Sequence, residues 1–274
     1  MMDVRKKYPS MVACSYNKGV RGRILCSFEP HTIVPGNWNV GRIKKHKAFI
    51  TFNRKFCKLN NILSMSYITK GVCTGNVLDE LDVFKPYNEK IKGICIIGRQ
   101  GHLEWQKREG SAYYLRKEFL NDILVEPYLV KHLYAPISWG GSYYQGRCEP
   151  CDPWGIAPLK TVSRYLFCFC PENTYHSLWS WGYLTERLQR CFKAKTIAIY
   201  IGCYNIEELV PKELFIDFRD FQNDYKRLAE YLIKFPKEKY IEMTERAYKW
   251  DKNCKIRLTE DLDNLLKIAI SKVK

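Results

Sequence analysis

The sequence predicts an α/β fold built on a parallel sheet covered on both faces. Three observations carry this. From about residue 90, short continuous apolar runs alternate with amphipathic segments. The apolar runs are rich in β-branched and aromatic residues, as buried strands are. Glycine and proline mark the joints between the runs and the helical patterns.

The elements follow in order. "IKGICIIG" (91–98) reads as the first buried strand of this region. "GSAYYLRKEFLNDIL" (110–124) reads as a helix with Leu115, Phe119 and Ile123 on one side. "SRYLFCFC" (163–170) is a second buried strand. "TERLQRCFKA" (185–194) is a short helix with Leu188, Cys191 and Phe192 on one face. "TIAIYIG" (196–202) and "ELFIDF" (213–218) are further strands. "FQNDYKRLAEYLIKF" and "KEKYIEMTERAYKW" are two helices broken at Pro236. Before residue 90 the pattern is less regular, with strands at 22–28 and 47–52 and a Pro- and Gly-punctuated loop at 29–39 between them. The predicted organisation is a small N-terminal α/β region over 1–88, a Rossmann-like domain over 89–256, and a closing amphipathic segment over 257–274 suited to packing back on the first region.

Composition bounds the function. The chain has 274 residues, 46% hydrophobic and 27% charged, which is globular rather than disordered usage. Its apolar runs fall far short of the roughly 20 residues that span a bilayer. The first residues are basic and lack an apolar segment of signal-peptide type, so a cytoplasmic protein is expected. Net charge is +16. This suits a phosphate-bearing substrate and leaves open peripheral contact with an anionic membrane. The basic residues are spread along the chain rather than gathered into an arm, so no specific nucleic-acid partner is expected.

Twelve cysteines are present. Cys148 and Cys151 form a C-x-x-C, with Cys168 and Cys170 downstream, a grouping that could supply four thiolates to zinc. Cys168 and Cys170 lie in a predicted buried strand, so the reading favours buried or loop thiols over a metal.

In open parallel sheets ligands bind beyond the carboxyl ends of strands. Two places fit. One is the loop after residues 91–98, leading to Arg116. The other is the loop after 163–170, leading to Glu186 and Arg187. Helix starts favour anions, and arginines there suit a diphosphate. Neither G-x-G-x-x-G nor G-x-x-x-x-G-K-[ST] occurs, which disfavours NAD and P-loop readings.

The run from Glu172-Asn173 to Gly182-Tyr183-Leu184-Thr185-Glu186-Arg187-Leu188 resembles the signature of the inverting α-1,3-fucosyltransferases, the glycosyltransferase family 10 type. There it reads roughly F-E-N-S, a few residues, then Y-V/I-T-E-K-L/I. "VPKELFIDFRDF" is similar to that family's I-P-x-x-S-F-I-x-x-x-D-F, and "LRKEFLNDI" to its R-x-x-Y-x-N-E-L. "FEPHTIVPGN" is similar to its E-S-P-x-H-T-P loop, and "FITFNRKF" to its L-T-Y-R-R-D segment. The series covers residues 24–240 in order. It departs from the family in having Arg187 for a lysine, a longer gap between Asn173 and Tyr183 that holds Trp179 and Trp181, and an abbreviated N-terminal region.

The resemblance implies a GT-B-like fold and inverting, metal-independent transfer of fucose from GDP-fucose to a glycan hydroxyl, with no cofactor. A catalytically silent nucleotide- or glycan-binding protein of the same fold is the alternative. By the resemblance Glu29 is the base, since inverting transfer requires a carboxylate to take the acceptor's proton. The nucleotide-sugar-binding set is Arg116, Arg187, Glu186, Tyr183, Asn173 and Glu172. Glu186 accepts ribose hydroxyls or serves as a first-turn acid. Tyr183 lines the pocket or packs. Glu172 and Asn173 shape the loop, and Thr185 is read as an N-cap. His31 and His176 are assigned no catalytic step. Trp179 and Trp181 form either a sugar-stacking lid or packing between the two regions.

Overall fold

The structure is a computed structural model and describes residues 12–14, 24–27, 29–62, 64–66, 83–98, 101, 103–123, 128–135, 141–148 and 156–253, with Ile268 and Ser271. The expected closing segment lies outside the described residues apart from these last two. Among the described residues there are two sheets. The first contains β1 (Val12–Cys14), β2 (Ile24–Ser27), β3 (Ala48–Thr51) and β4 (Ser64–Ser66), side by side in chain order and all parallel. The second contains β5 (Ile91–Ile97), β6 (Val130–Tyr134), β7 (Tyr165–Pro171), β8 (Ile197–Ile201) and β9 (Ile216–Asp217). Its order is β6-β5-β7-β8-β9, again all parallel.

That order decides where a site can form. The chain moves from β5 outward to β6, then crosses back to place β7 on the other side of β5. The carboxyl ends of β5 and β7 therefore border the switch point at which an open α/β sheet leaves a crevice.

Both faces of the second sheet are covered, as continuous apolar strands require. On one face Ile94, Ile96, Phe167, Phe169, Ile199 and Ile201 pack with α1 (Tyr113–Asp122) and α4 (Tyr225–Ile233), through Leu115, Phe119, Leu228 and Leu232. On the other face Cys95, Cys168, Cys170, Ala198 and Tyr200 pack with α2 (Ile156–Ser163) and α3 (Glu186–Lys193), through Leu159, Leu188 and Phe192. α5 (Lys237–Asn253) gives Tyr240 to the first cluster and Ala247 to the second. Alternation along each strand produces the two sets.

The strand expected at 213–218 is shorter than its apolar pattern suggests. Lys212–Leu214 forms a 3-10 turn after Pro211, only Ile216 and Asp217 pair as strand, and the Asp217 carboxylate caps the next turn at Arg219. Among the described residues no helix is long and apolar enough to cross a membrane.

The two sheets meet through aromatic packing. Tyr183, from the segment before α3, enters the N-terminal core of Leu25, Trp38, Phe49, Phe52 and Phe56. Gly182 permits this approach. Its φ is +76°, and a Cβ there would overlap the Phe52 carbonyl oxygen.

Candidate active site

Glu29 lies just beyond the carboxyl end of β2, which ends at Ser27. Its backbone carbonyl accepts hydrogen bonds from Ser27 Oγ and Trp38 Nε1, both at 3.1 Å, which fixes the turn. Its side chain is half-buried and points at the second sheet, where the Tyr183 hydroxyl donates to Oε2 at 3.3 Å. Burial pushes the Glu29 carboxyl up to about 7, with Arg187 and the Tyr183 hydrogen bond acting in the opposite direction.

Arg116 sits in the first half of α1 and is 1% exposed. One of its terminal nitrogens donates to the Pro171 and Glu172 carbonyls, each at 3.2 Å, and to Asn173 Oδ1 at 2.9 Å. Its guanidinium lies over the Tyr113 ring, 4.5 Å from the centroid. Burial, with Arg187 nearby, lowers it to about 10, still a cation at neutral pH. Tyr113 is absent from the residues expected on sequence. Its place one helical turn before Arg116 is the signal that points to it.

Arg187, in the first turn of α3, reaches the same amide. Its NH2 donates to Asn173 Oδ1 at 3.3 Å, and its NH1 donates to Glu172 Oε2 at 2.6 Å and Thr185 Oγ1 at 2.9 Å. Burial opposes its charge, but Glu172 and Glu186 more than offset this and hold it above the ordinary arginine range. The two arginines, from α1 and α3, thus converge on one oxygen at the end of β7.

Glu172 is 0% exposed. Its carboxylate accepts the Thr185 N–H at 2.8 Å, the Thr185 hydroxyl at 2.8 and 3.0 Å, Arg187, and the Tyr200 hydroxyl at 3.4 Å. Burial raises its proton affinity, opposed by Arg187 and Thr185. Its part in the expected nucleotide-sugar set is therefore support from beneath. Thr185 stands at the N-cap position, but its hydroxyl does not cap α3 and instead bonds Glu172. The hydroxyl proton goes to the Glu172 carboxylate, and the hydroxyl oxygen accepts from Arg187 NH1 rather than from a helix N–H. Glu186 is 8% exposed and meets Arg190 at 3.4 Å. Burial acts against its charge, yet Arg187 and Arg190 leave its carboxyl below the usual range.

The tryptophans lie between the two sheets. Trp179 stacks on His31 at 4.2 Å and packs near Phe56 and Trp38. Its indole N–H donates to Glu109 Oε2 at 3.4 Å. Trp181 stacks with Tyr204, and the Lys55 ammonium lies 4.4 Å from the Trp181 ring centroid. His176 faces Glu109 at 3.2 Å and accepts the Leu178 N–H.

Cys168 and Cys170 are buried free thiols, as expected, and Cys148 is a free, partly exposed one. Cys151 lies outside the described residues. Cys168 and Cys170 share a face, as the strand period requires, and are joined by Cys191 of α3. The Cys170 sulfur is 3.5 Å from that of Cys168 and 3.4 Å from that of Cys191. Among the described residues this is the group with sulfurs close enough for a soft metal ion.

Comparison with known proteins bears on the fold. Residues 142–270 match the family described as glycosyltransferase family 10 (fucosyltransferase), C-terminal part. No curated protein matches the chain. A crystal structure of an α1,3-fucosyltransferase with GDP-fucose aligns with a TM-score of 0.54 at 15% identity, covering 94% of this chain and 80% of the other. One with GDP aligns at 0.57 and 14%, covering 96% and 77%. Trehalose-6-phosphate synthase OtsA aligns at 0.54 and 10%, covering 93% and 68%. The fold is that of GT-B glycosyltransferases. Within that fold, residues 142–270 match the glycosyltransferase family 10 C-terminal domain.

Proposed function

We propose that the protein transfers fucose from GDP-fucose to a glycan hydroxyl with inversion, as an α-1,3-fucosyltransferase. One observation carries the reading: a buried arginine, Arg116, and the partly buried Arg187 converge on Asn173 at the switch point, and a single tyrosine separates that amide from a carboxylate of raised proton affinity.

The roles follow from charge. As the bond from the sugar to GDP breaks, negative charge grows on the diphosphate. Arg116 and Arg187 are held as cations at the switch point, where they stabilise that charge. The cationic work is theirs, and the reading requires no metal. On the opposite face Glu29 takes the proton of the attacking hydroxyl, and a base with a pKa near 7 is matched to that task. Residues 1–88 take the acceptor side and 89–256 the nucleotide side. Glu186 is offered to the ribose, through a carboxylate that Arg187 and Arg190 keep ionised.

A thermal-shift comparison of GDP, UDP and CMP compounds tests the donor. Stabilisation by GDP alone is expected, and selective stabilisation by UDP compounds defeats the reading. With GDP-fucose and a panel of glycan acceptors, Glu29→Gln is expected to lose transfer while keeping GDP affinity. A wild-type protein that binds GDP but neither transfers nor hydrolyses GDP-fucose would be a silent binding protein.

A further inference from the structure

The hydrogen bonds around Asn173 have only one consistent direction. Guanidinium groups donate and never accept. Arg116 and Arg187 both donate to Asn173 Oδ1, so the amide nitrogen must face the other way. It faces Tyr183 and donates to the phenol oxygen at 3.2 Å. With that oxygen accepting from Asn173, the phenol proton goes to Glu29 Oε2. A line of donors thus runs from α1 and α3, through the end of β7, to the carboxylate beyond β2. Tyr183 is 2% exposed, so water does not substitute for its hydroxyl.

We propose that Asn173 and Tyr183 are positioning residues that join the leaving-group arginines to the base, leaving Oε1 of Glu29 to receive the acceptor's proton. This rests on the reading of Glu29 as the base. The balance is simple: the acceptor O–H bond breaks, its proton bonds to Oε1, and the oxygen's electron pair forms the new bond to the sugar carbon. Oε2 keeps its hydrogen bond from Tyr183 throughout.

The line also couples the two substrates. The arginines donate to Asn173, which polarises the phenol and stabilises ionised Glu29. A donor diphosphate draws those guanidinium N–H groups to itself. The phenol then gives a weaker hydrogen bond, and Glu29 holds a proton more tightly. The base is therefore strongest when the donor is in place. Other charges also act on Glu29 through space: Arg187 and Glu186 on α3, Glu172 at the end of β7, with Tyr113 facing it from α1. None of them requires the Tyr183 hydroxyl, so changing that hydroxyl isolates its share.

The test follows the protonated carboxyl band of Glu29 by infrared difference spectroscopy across pH, the band being assigned by its loss in Glu29→Gln. Tyr183→Phe keeps the ring, which packs 5.0 Å from Phe52, and removes only the hydroxyl. Its midpoint is expected to rise by about half a pH unit or more, the scale of one lost hydrogen bond. A fluorinated tyrosine at position 183 is a stronger donor and is expected to lower the midpoint. A merely structural tyrosine would not produce opposite shifts. GDP is expected to raise the wild-type midpoint more than that of Tyr183→Phe. If both variants titrate with the wild type, the proposal is overturned and the assignment of the base stands. Full turnover of GDP-fucose by Glu29→Gln removes the base itself, and the proposal with it.

Discussion

Glu29 and Tyr183 are 154 residues apart in the chain and meet at 3.3 Å. The contact joins the carboxyl end of a strand in the first sheet to the segment that opens α3 beside the second. It places a carboxylate of raised proton affinity across from two arginines, and the consequences can be measured.

Removal of the Glu29 charge should separate stability from activity. The folded carboxyl titrates at about 7, above the ordinary value of 4.5. The fold therefore binds this proton more tightly than the unfolded chain does. The stabilisation is complete below pH 4.5 and is lost as pH rises through 7. Glu29→Gln is expected to flatten that part of the stability curve and to be at least as stable as wild type at pH 8, while transfer is lost. Urea unfolding at several pH values, beside an activity assay, checks both.

Arg187→Ala should damage both binding and folding. It removes the cation proposed to meet the diphosphate and leaves Glu172 buried without its ion-pair partner. Breaking such a pair costs about 3–5 kcal/mol. Unfolding by urea should show that loss, and calorimetry should show weakened GDP binding. Arg116→Lys separates the two effects better, since it keeps a cation but cannot reproduce the planar guanidinium. It is expected to weaken GDP binding by tenfold or more, about 1.4 kcal/mol.

Gly182→Ala should loosen the meeting of the two sheets. The position combines a left-handed backbone with contact to the Phe52 carbonyl. Alanine there must strain the chain or move the sheets apart, which draws Tyr183 from Glu29. A cost of about 1–3 kcal/mol is expected, with transfer falling further than GDP affinity. A mutant retaining wild-type transfer would show that the approach is not needed.

Cys168, Cys170 and Cys191 should resist thiol reagents in the native protein. Burial and the neighbouring sulfurs push the Cys191 thiol well up. The Cys168 sulfur and burial do the same to Cys170, although Cys191 acts in the other direction. Maleimide labelling followed by peptide mass analysis should find them modified only after denaturation.

Much of the second sheet was legible because its central strands are buried on both faces and read as unbroken apolar runs. β5, β7 and β8 are of this kind. β6 was not, since Lys131 and His132 interrupt "VKHLY" and an edge strand tolerates such residues. α2 was hidden by Pro158, which falls in its first turn and is allowed there. At the site, the resemblance pointed to Glu29, and it and the strand-end positions pointed to Arg116 and Arg187, residues that the structure links through Asn173 and Tyr183. Sequence did not show that Glu172 spends its carboxylate on Thr185 and Arg187, because that pairing exists only once β7 and α3 are brought together.

The buried carboxylate of Glu172 has an evolutionary consequence. One side chain anchors a strand end, a helix start and a cation, so these residues cannot drift independently. A change at position 172, 185 or 187 alone meets a penalty that a simultaneous change at the others could relieve, and their effects should be strongly non-additive. Positions 172, 185 and 187 are therefore expected to be substituted as a block rather than one at a time.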